Sequence, residues 1–126
     1  MKAILFVDDH EVLARLSCEI LEMQGYRAEY AYNANDALAK FERGKFDILV
    51  TDYRMEGMDG LELARLIRQK SPEMPVIIVT GYAPVEEADG IVDAWLEKHD
   101  LFPALLDKIR SLLGEEDPEE KETLSA

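Results

Sequence analysis

Continuous apolar runs and helically spaced apolar residues alternate along the chain. Ala3-Ile4-Leu5-Phe6-Val7 is a short apolar run that stops at Asp8-Asp9, and it predicts a buried strand. Val12, Leu13, Leu16, Ile20 and Met23 then recur at helical spacing, with Gly25 as the stop. Arg27 to Ala31 is a mixed stretch carrying Tyr30, expected as a strand at or near a sheet edge. Asn33-Ala34-Asn35-Asp36 reads as a helix start, with Asn33 capping and Asp36 in the first turn. Ala37, Leu38 and Phe41 continue that helix towards Gly44.

The second half repeats the alternation. Ile48-Leu49-Val50 is apolar without a break, as expected where both faces of a sheet are covered, and the strand ends on Asp52. Tyr53 to Met58 is a loop, and Asp59-Gly60-Leu61-Glu62 has capping-box spacing. Leu63, Leu66 and Ile67 give the helix that follows an inner face, and Ser71-Pro72 ends it. Val76-Ile77-Ile78-Val79 is another apolar strand, ending at Thr80 before the loop Gly81-Tyr82-Ala83-Pro84. Val85 to Val92 allows at most a short helix, interrupted by Gly90. Ala94-Trp95-Leu96 is a last short strand followed by Lys98, and Phe102, Leu105, Leu106, Ile109, Leu112 and Leu113 form a closing amphipathic stripe that Gly114 stops. Strand and helix alternating in this way call for an α/β fold, a parallel sheet with helices on both faces.

A parallel sheet brings all the strand ends to one rim, where such sheets place their ligands. Asp8 and Asp9, Asp52, Thr80 and Lys98 therefore converge. Carboxylates brought together raise one another's pKa unless a cation intervenes. Oxygen ligands that keep several waters suit Mg²⁺. A carboxylate left beside the metal can act as a nucleophile toward a phosphoryl group, with the lysine ammonium and the hydroxyl spreading its charge.

Composition narrows the function classes. A chain of 126 residues fits one domain. The formal charge of −13, from 14 basic and 27 acidic residues, argues against direct binding to nucleic acid or to an anionic membrane. Cys18 is the one cysteine, so no internal disulfide forms; it is expected to be a buried, small apolar residue. The apolar start before Asp8 is too short for a signal peptide or a membrane span, and a cytoplasmic location is expected. Residues 115–126 hold Glu115-Glu116-Asp117-Pro118-Glu119-Glu120 and are expected to be a solvated, disordered acidic tail or a stub of linker, too short and too acidic to be a DNA-binding module.

Val7-Asp8-Asp9, Asp52-Tyr53-Arg54-Met55 with Met58-Asp59-Gly60, Val79-Thr80-Gly81 and Trp95-Leu96-Glu97-Lys98 together resemble the receiver domain of two-component response regulators, of the chemotaxis-receiver type. The resemblance covers nearly the whole of residues 1–114, the expected domain. It implies a flavodoxin-like doubly wound sheet of order 2-1-3-4-5. It implies that Asp52 accepts a phosphoryl group from a histidine kinase or phosphotransfer protein, with Mg²⁺ bound. It further implies Asp9 and Asp52 as metal ligands, Asp8 acting mainly through water, and the Arg54 backbone carbonyl as a third protein oxygen. Thr80 matches the switch hydroxyl, Lys98 the phosphate-contacting lysine, and Trp95 the aromatic position that moves with activation. The implied output is altered affinity for a downstream effector protein, from a monomer or weak dimer. Such a protein catalyses only its own phosphorylation and dephosphorylation.

The chain departs from the family at three places. Glu56 stands where proline is usual. His99 stands where a proline, usually after a cis bond, follows the lysine. A non-proline cis bond costs about 2.5–4 kcal/mol, which favours a trans Lys98–His99 bond and leaves the aim of Lys98 open. The segment from Thr80 to Lys98 is also shortened in its fourth helix, which puts the usual output face in question. Two further readings stay open. One is a receiver-like module that binds partners independently of phosphorylation. The other is a small phosphohydrolase using Asp52, disfavoured because Arg54, not a carboxylate, stands two residues later. Arg54 and Tyr82 are both large and are expected to obstruct water at Asp52. Whether the chain is a stand-alone receiver or part of a longer protein is not decided by its sequence.

Overall fold

The structure is a computed structural model that describes residues 1–99 and 101–115. Five parallel strands form one sheet: β1 (Ala3–Val7), β2 (Arg27–Ala31), β3 (Ile48–Thr51), β4 (Val76–Thr80) and β5 (Ala94–Glu97). Their order is β2-β1-β3-β4-β5, as the family resemblance implies, so β2 and β5 are the edges. The helices are α1 (Glu11–Met23), α2 (Ala34–Arg43), α3 (Gly60–Lys70) and α4 (Ala104–Leu112). Between β4 and β5 only a single 3₁₀ turn, Glu86–Ala88, replaces a helix.

The period of two along each strand divides the core. Ile4, Phe6, Ile48, Val50, Ile77 and Val79 face α1 and α4, where they meet Cys18, Leu21, Leu105 and Ile109. Ala3, Leu5, Val7, Leu49 and Val76 face α2 and α3, against Ala34, Ala37, Leu63, Ala64 and Ile67. Every residue of β1, β3 and β4 is buried, which is why those strands read as unbroken apolar runs.

The caps anticipated for two helices are present. Asn33 accepts from the Asp36 N–H at 2.7 Å, and Asp59 accepts from the Glu62 N–H at 2.9 Å. The α1 cap is His10, whose Nδ1 accepts from the Leu13 N–H at 3.2 Å. That position carries no strong capping signal in the sequence.

Helix α1 forms where its spacing predicts, but the stripe that reveals it faces outward. Its buried residues are Ala14, Ser17, Cys18 and Leu21, while Val12, Leu16, Ile20 and Met23 are exposed. Small side chains on the inner face let the helix approach the sheet closely, and the larger apolar ones are left outside. Burial in that packing pushes the Cys18 thiol up to about 12, so it is inert as a nucleophile near neutral pH.

The shortened crossover is held by α3. Arg68 donates to the carbonyls of Met74 (3.1 Å) and Ile91 (3.4 Å) and pairs with Asp93 at 3.5 Å. Asp93 in turn accepts from the Val76 N–H at 2.8 Å, at the start of β4. At the other end of the chain, the Tyr26 hydroxyl donates to Glu115 at 2.6 Å and fixes the exit from α4. The acidic tail expected beyond that point lies outside the described residues.

Candidate functional site

Sheet hydrogen bonding continues past the strand ends and sets the backbones that carry the polar residues. The Asp8 N–H donates to Ala31 O (3.0 Å), the Asp52 N–H to Val7 O (2.8 Å) and the Lys98 N–H to Thr80 O (3.0 Å). With β1, β3, β4 and β5 parallel and in register, their carboxyl ends share one rim. Asp8, Asp9 and Asp52 come together there, with one carboxylate oxygen from each inside a 4.8 Å cluster. Asp8 and Asp52 are buried and Asp9 is exposed.

Lys98 reaches into this cluster. Its Nζ lies 2.8 Å from Asp8 Oδ2 and 3.0 Å from Asp52 Oδ2. The only cis peptide bond among the described residues is Phe102–Pro103, so Lys98–His99 is trans. A trans bond does not misdirect the lysine: β5 ends at the site and the long side chain covers the rest. The other oxygens are occupied by backbone donors, the Tyr53 N–H on Asp52 Oδ1 (2.7 Å) and the His10 N–H on Asp8 Oδ1 (2.9 Å).

Thr80 is buried on the same rim, and its Oγ1 accepts from the Tyr82 N–H at 3.4 Å. Arg54 is exposed in the loop after β3, with its guanidinium stacked on aromatic rings. Trp95 lies half-buried on β5 beside Tyr53. Gly60 is a site residue that motif spacing alone does not explain. It opens α3 so close to β3 that a Cβ there would sit 1.9 Å from the Asp52 carbonyl oxygen. Met55 and Met58 pack into the α2–α3 side of the core, as expected of loop packing.

Burial raises the pKa of Asp8 above the usual aspartate value, and the Lys98 and His10 hydrogen bonds offset this only in part. For Lys98, burial pulls the ammonium down, but its hydrogen bonds to Asp8 and Asp52 outweigh that and hold it above the usual lysine value. Lys98 is therefore charged throughout the neutral range. Three ionised carboxylates and one ammonium leave a formal charge of −2, which a divalent cation cancels. The donor set is oxygen only and one member faces solvent, so it fits a hard cation that keeps water, such as Mg²⁺. Asp9 and Asp52, with Asp8 near them, are the side chains that would hold it.

A carboxyl whose folded pKa lies above its unfolded value favours the folded state at low pH and loses that advantage as pH rises through the folded value. Ionised Asp8 is thus a net cost at pH 7 without metal. Asp8→Asn is expected to raise the melting temperature of the metal-free protein at pH 7 by a few degrees, and to weaken stabilisation by Mg²⁺. The gap from wild type should close as pH falls below the usual aspartate range. Thermal melts with and without Mg²⁺ check this, and a lower metal-free melting temperature for the variant at pH 7 would contradict it.

The comparisons with known proteins agree with this geometry. The response regulator receiver domain profile matches residues 4–99. The sensor histidine kinase RcsC of Escherichia coli (strain K12) is 36% identical over 110 residues, which is 87% of this chain and 12% of that protein. The chain thus spans about an eighth of that relative's length. The response regulator TrrA of Thermotoga maritima, solved in complex with Mg²⁺-BeF, superposes with a TM-score of 0.82 at 34% identity, covering 89% of this chain and 99% of that one. TrrA bound to the histidine kinase ThkA gives a TM-score of 0.82 at 34% identity, covering 90% of this chain and 99% of that one. Among the described residues no helix is long and apolar enough to cross a membrane. Shared strand order, a matching profile over most of the chain and similarity to solved receivers lead to one conclusion: the chain belongs to the response regulator receiver domain family of two-component signalling.

Proposed function

We propose that this receiver domain accepts a phosphoryl group on Asp52 from a phosphohistidine donor. The Asp52 carboxylate oxygen forms a bond to phosphorus as the phosphorus–nitrogen bond of the donor breaks, and the electron pair returns to the imidazole. The observation that carries this reading is Lys98 Nζ bridging Asp8 and Asp52 within the carboxylate cluster. Mg²⁺, when bound, neutralises charge on the phosphoryl oxygens. Asp9, Asp52 and the Arg54 backbone carbonyl are the proposed direct ligands, with Asp8 acting through water. Lys98 balances the new charge and Thr80 Oγ1 follows the phosphoryl group. The domain covers residues 1–114, works in the cytoplasm, and answers by changing its affinity for a downstream effector protein. Receiver domains are signalling modules, and no turnover of a separate substrate is proposed. Incubation with acetyl phosphate and Mg²⁺ tests the reading: a single phosphoryl group should map to Asp52.

The donor's docking site follows from α1. Val12, Leu16, Ile20 and Met23 form an exposed apolar stripe on a helix whose cap, His10, adjoins Asp9. A helical donor laid along it would present its histidine at the rim. TrrA, solved with a histidine kinase, makes such a donor reasonable here. Leu16→Glu combined with Met23→Glu is expected to slow transfer from the histidine donor by about tenfold or more, the loss of ~1.4 kcal/mol of interface energy. Labelling by acetyl phosphate should stay within about twofold, because such a variant disturbs docking and not chemistry. Equal slowing of both reactions would remove α1 from the docking surface.

A second reading draws on the single 3₁₀ turn between β4 and β5. With a single turn in place of a helix there, partner binding can be independent of phosphorylation. Effector affinity unchanged by a beryllofluoride mimic of the phosphoryl group would select it.

A further inference from the structure

Four side chains form a connected group beside Asp52. Tyr53, the next residue, is buried, and its ring lies 5.1 Å from Trp95 and 6.4 Å, edge-on, from Tyr82. The Arg54 guanidinium sits 4.8 Å from the Tyr53 ring centre and 5.6 Å from that of Tyr82. The loops after β3 and β4 are thus bridged across the sheet rim by Arg54 on Tyr82. Tyr82 belongs to an exposed loop, residues 81–84, and is itself 58% exposed. What holds that loop from the β5 side is Trp95, whose indole N–H donates to the Tyr82 carbonyl at 2.8 Å.

We propose that Trp95 is a positioning residue that latches Tyr82, and through it Arg54, at the rim beside Asp52, and so sets how long the acyl phosphate survives. This rests on the reading of Asp52 as phosphoacceptor. Its content is different from a mobile aromatic switch: the indole N–H is already engaged, and the connection above it is one short turn. Hydrolysis requires a water oxygen to bond to phosphorus opposite the Asp52 oxygen. The phosphorus–oxygen bond to Asp52 then breaks, the electron pair stays on the carboxylate, and both of the water's protons leave with the inorganic phosphate. Two large side chains joined over the rim narrow that approach, and the latch keeps them joined.

Trp95→Phe keeps an aromatic, though smaller, ring beside Tyr53 and removes the N–H donor. After labelling with acetyl phosphate and removal of the free donor, its acyl phosphate is expected to decay about 3–10-fold faster than wild type, the effect of one modest hydrogen bond on a rate. Tyr82→Ala and Arg54→Ala should accelerate decay at least as much. The double variant Trp95→Phe/Tyr82→Ala should decay no faster than Tyr82→Ala alone, because the latch acts only through Tyr82. Labelling rates of Trp95→Phe and Tyr82→Ala should stay within about twofold of wild type. Labelled variants that decay at the wild-type rate, or additive effects in the double variant, would overturn the latch and leave the Asp52 assignment intact. Absence of label on wild type would instead overturn the Asp52 reading. Exchange of the Trp95 indole proton, followed by NMR in the unphosphorylated protein, tests the latch without any phosphoryl chemistry. Protection relative to free tryptophan is expected, and exchange as fast as in the free amino acid would overturn it.

Discussion

Asp52→Asn is expected to take up no phosphoryl group from acetyl phosphate in the presence of Mg²⁺, under conditions where the wild-type chain should be labelled. The expected loss is at least ~1,000-fold in labelling rate, because an amide cannot replace the carboxylate nucleophile. The geometry sharpens the expectation. An amide oxygen can still accept the Tyr53 N–H now held by Asp52 Oδ1, so the loop after β3 stays in place. The amide NH₂ then faces Lys98 Nζ, where Asp52 Oδ2 lay 3.0 Å away, and two donors do not pair. The variant should therefore fold, lose one of the two ion-pair partners of Lys98, and lack the nucleophile. Mass spectrometry of the intact protein, with circular dichroism to confirm folding, reads the result. A folded Asp52→Asn protein labelled as fast as wild type would sink the assignment.

The second large effect is Gly60→Ala. A Cβ at Gly60 would meet the Asp52 carbonyl oxygen at 1.9 Å, its carbonyl carbon at 2.9 Å and Thr51 Cγ2 at 3.2 Å. Two of those atoms are backbone, so no rotamer relieves the overlap and β3 or α3 must shift. Gly60 also donates its N–H to Tyr53 O at 2.8 Å, the contact that brings α3 against the loop. Overpacking of this kind costs about 3 kcal/mol or more, at the top of the usual range. For a domain of this size that is a fall in melting temperature of roughly 10 °C. The displaced backbone is that of Asp52, so the stabilisation by Mg²⁺ should shrink as well. Gly57→Ala is the control. Its φ of +82° imposes strain of about 1–2 kcal/mol, but nothing lies within 4 Å of a Cβ there. Gly57→Ala should lose some stability and keep its response to Mg²⁺. Equal melting temperatures for Gly60→Ala and wild type would show that the loop after β3 yields more easily than its contacts imply.

Much of this molecule is written locally. Buried strands of a parallel sheet need apolar side chains on both faces, so β1, β3 and β4 declare themselves as continuous runs. Side-chain caps act over three residues, so Asn33 and Asp59 mark their helix starts without tertiary information. Strand ends of a parallel sheet share a rim, so Asp8, Asp52, Thr80 and Lys98 could be grouped before any distance was known. The shortened segment between β4 and β5 was equally legible, and it folds as a single 3₁₀ turn.

Other features depend on which surfaces meet. Helical spacing finds α1 but does not say which stripe turns inward. Val12, Leu16, Ile20 and Met23 are the more apolar set, yet Ala14, Ser17, Cys18 and Leu21 are buried, because close approach to the sheet favours small side chains. The Arg68 ties to Met74, Ile91 and Asp93 join residues whose partnership no local pattern announces. The same holds for the indole of Trp95 on the Tyr82 carbonyl, and for the need of glycine at position 60.

The sequence by itself determined the alternation of strands and helices and the residue types at the strand ends, because periodicity and capping act within a few residues. Only the tertiary structure decided that Lys98 reaches both Asp8 and Asp52 across a trans bond to His99, that the apolar stripe of α1 faces solvent, and that Trp95 is tied to Tyr82. Those are contacts between segments far apart in the chain, and their geometry exists only once the sheet has brought the strand ends together.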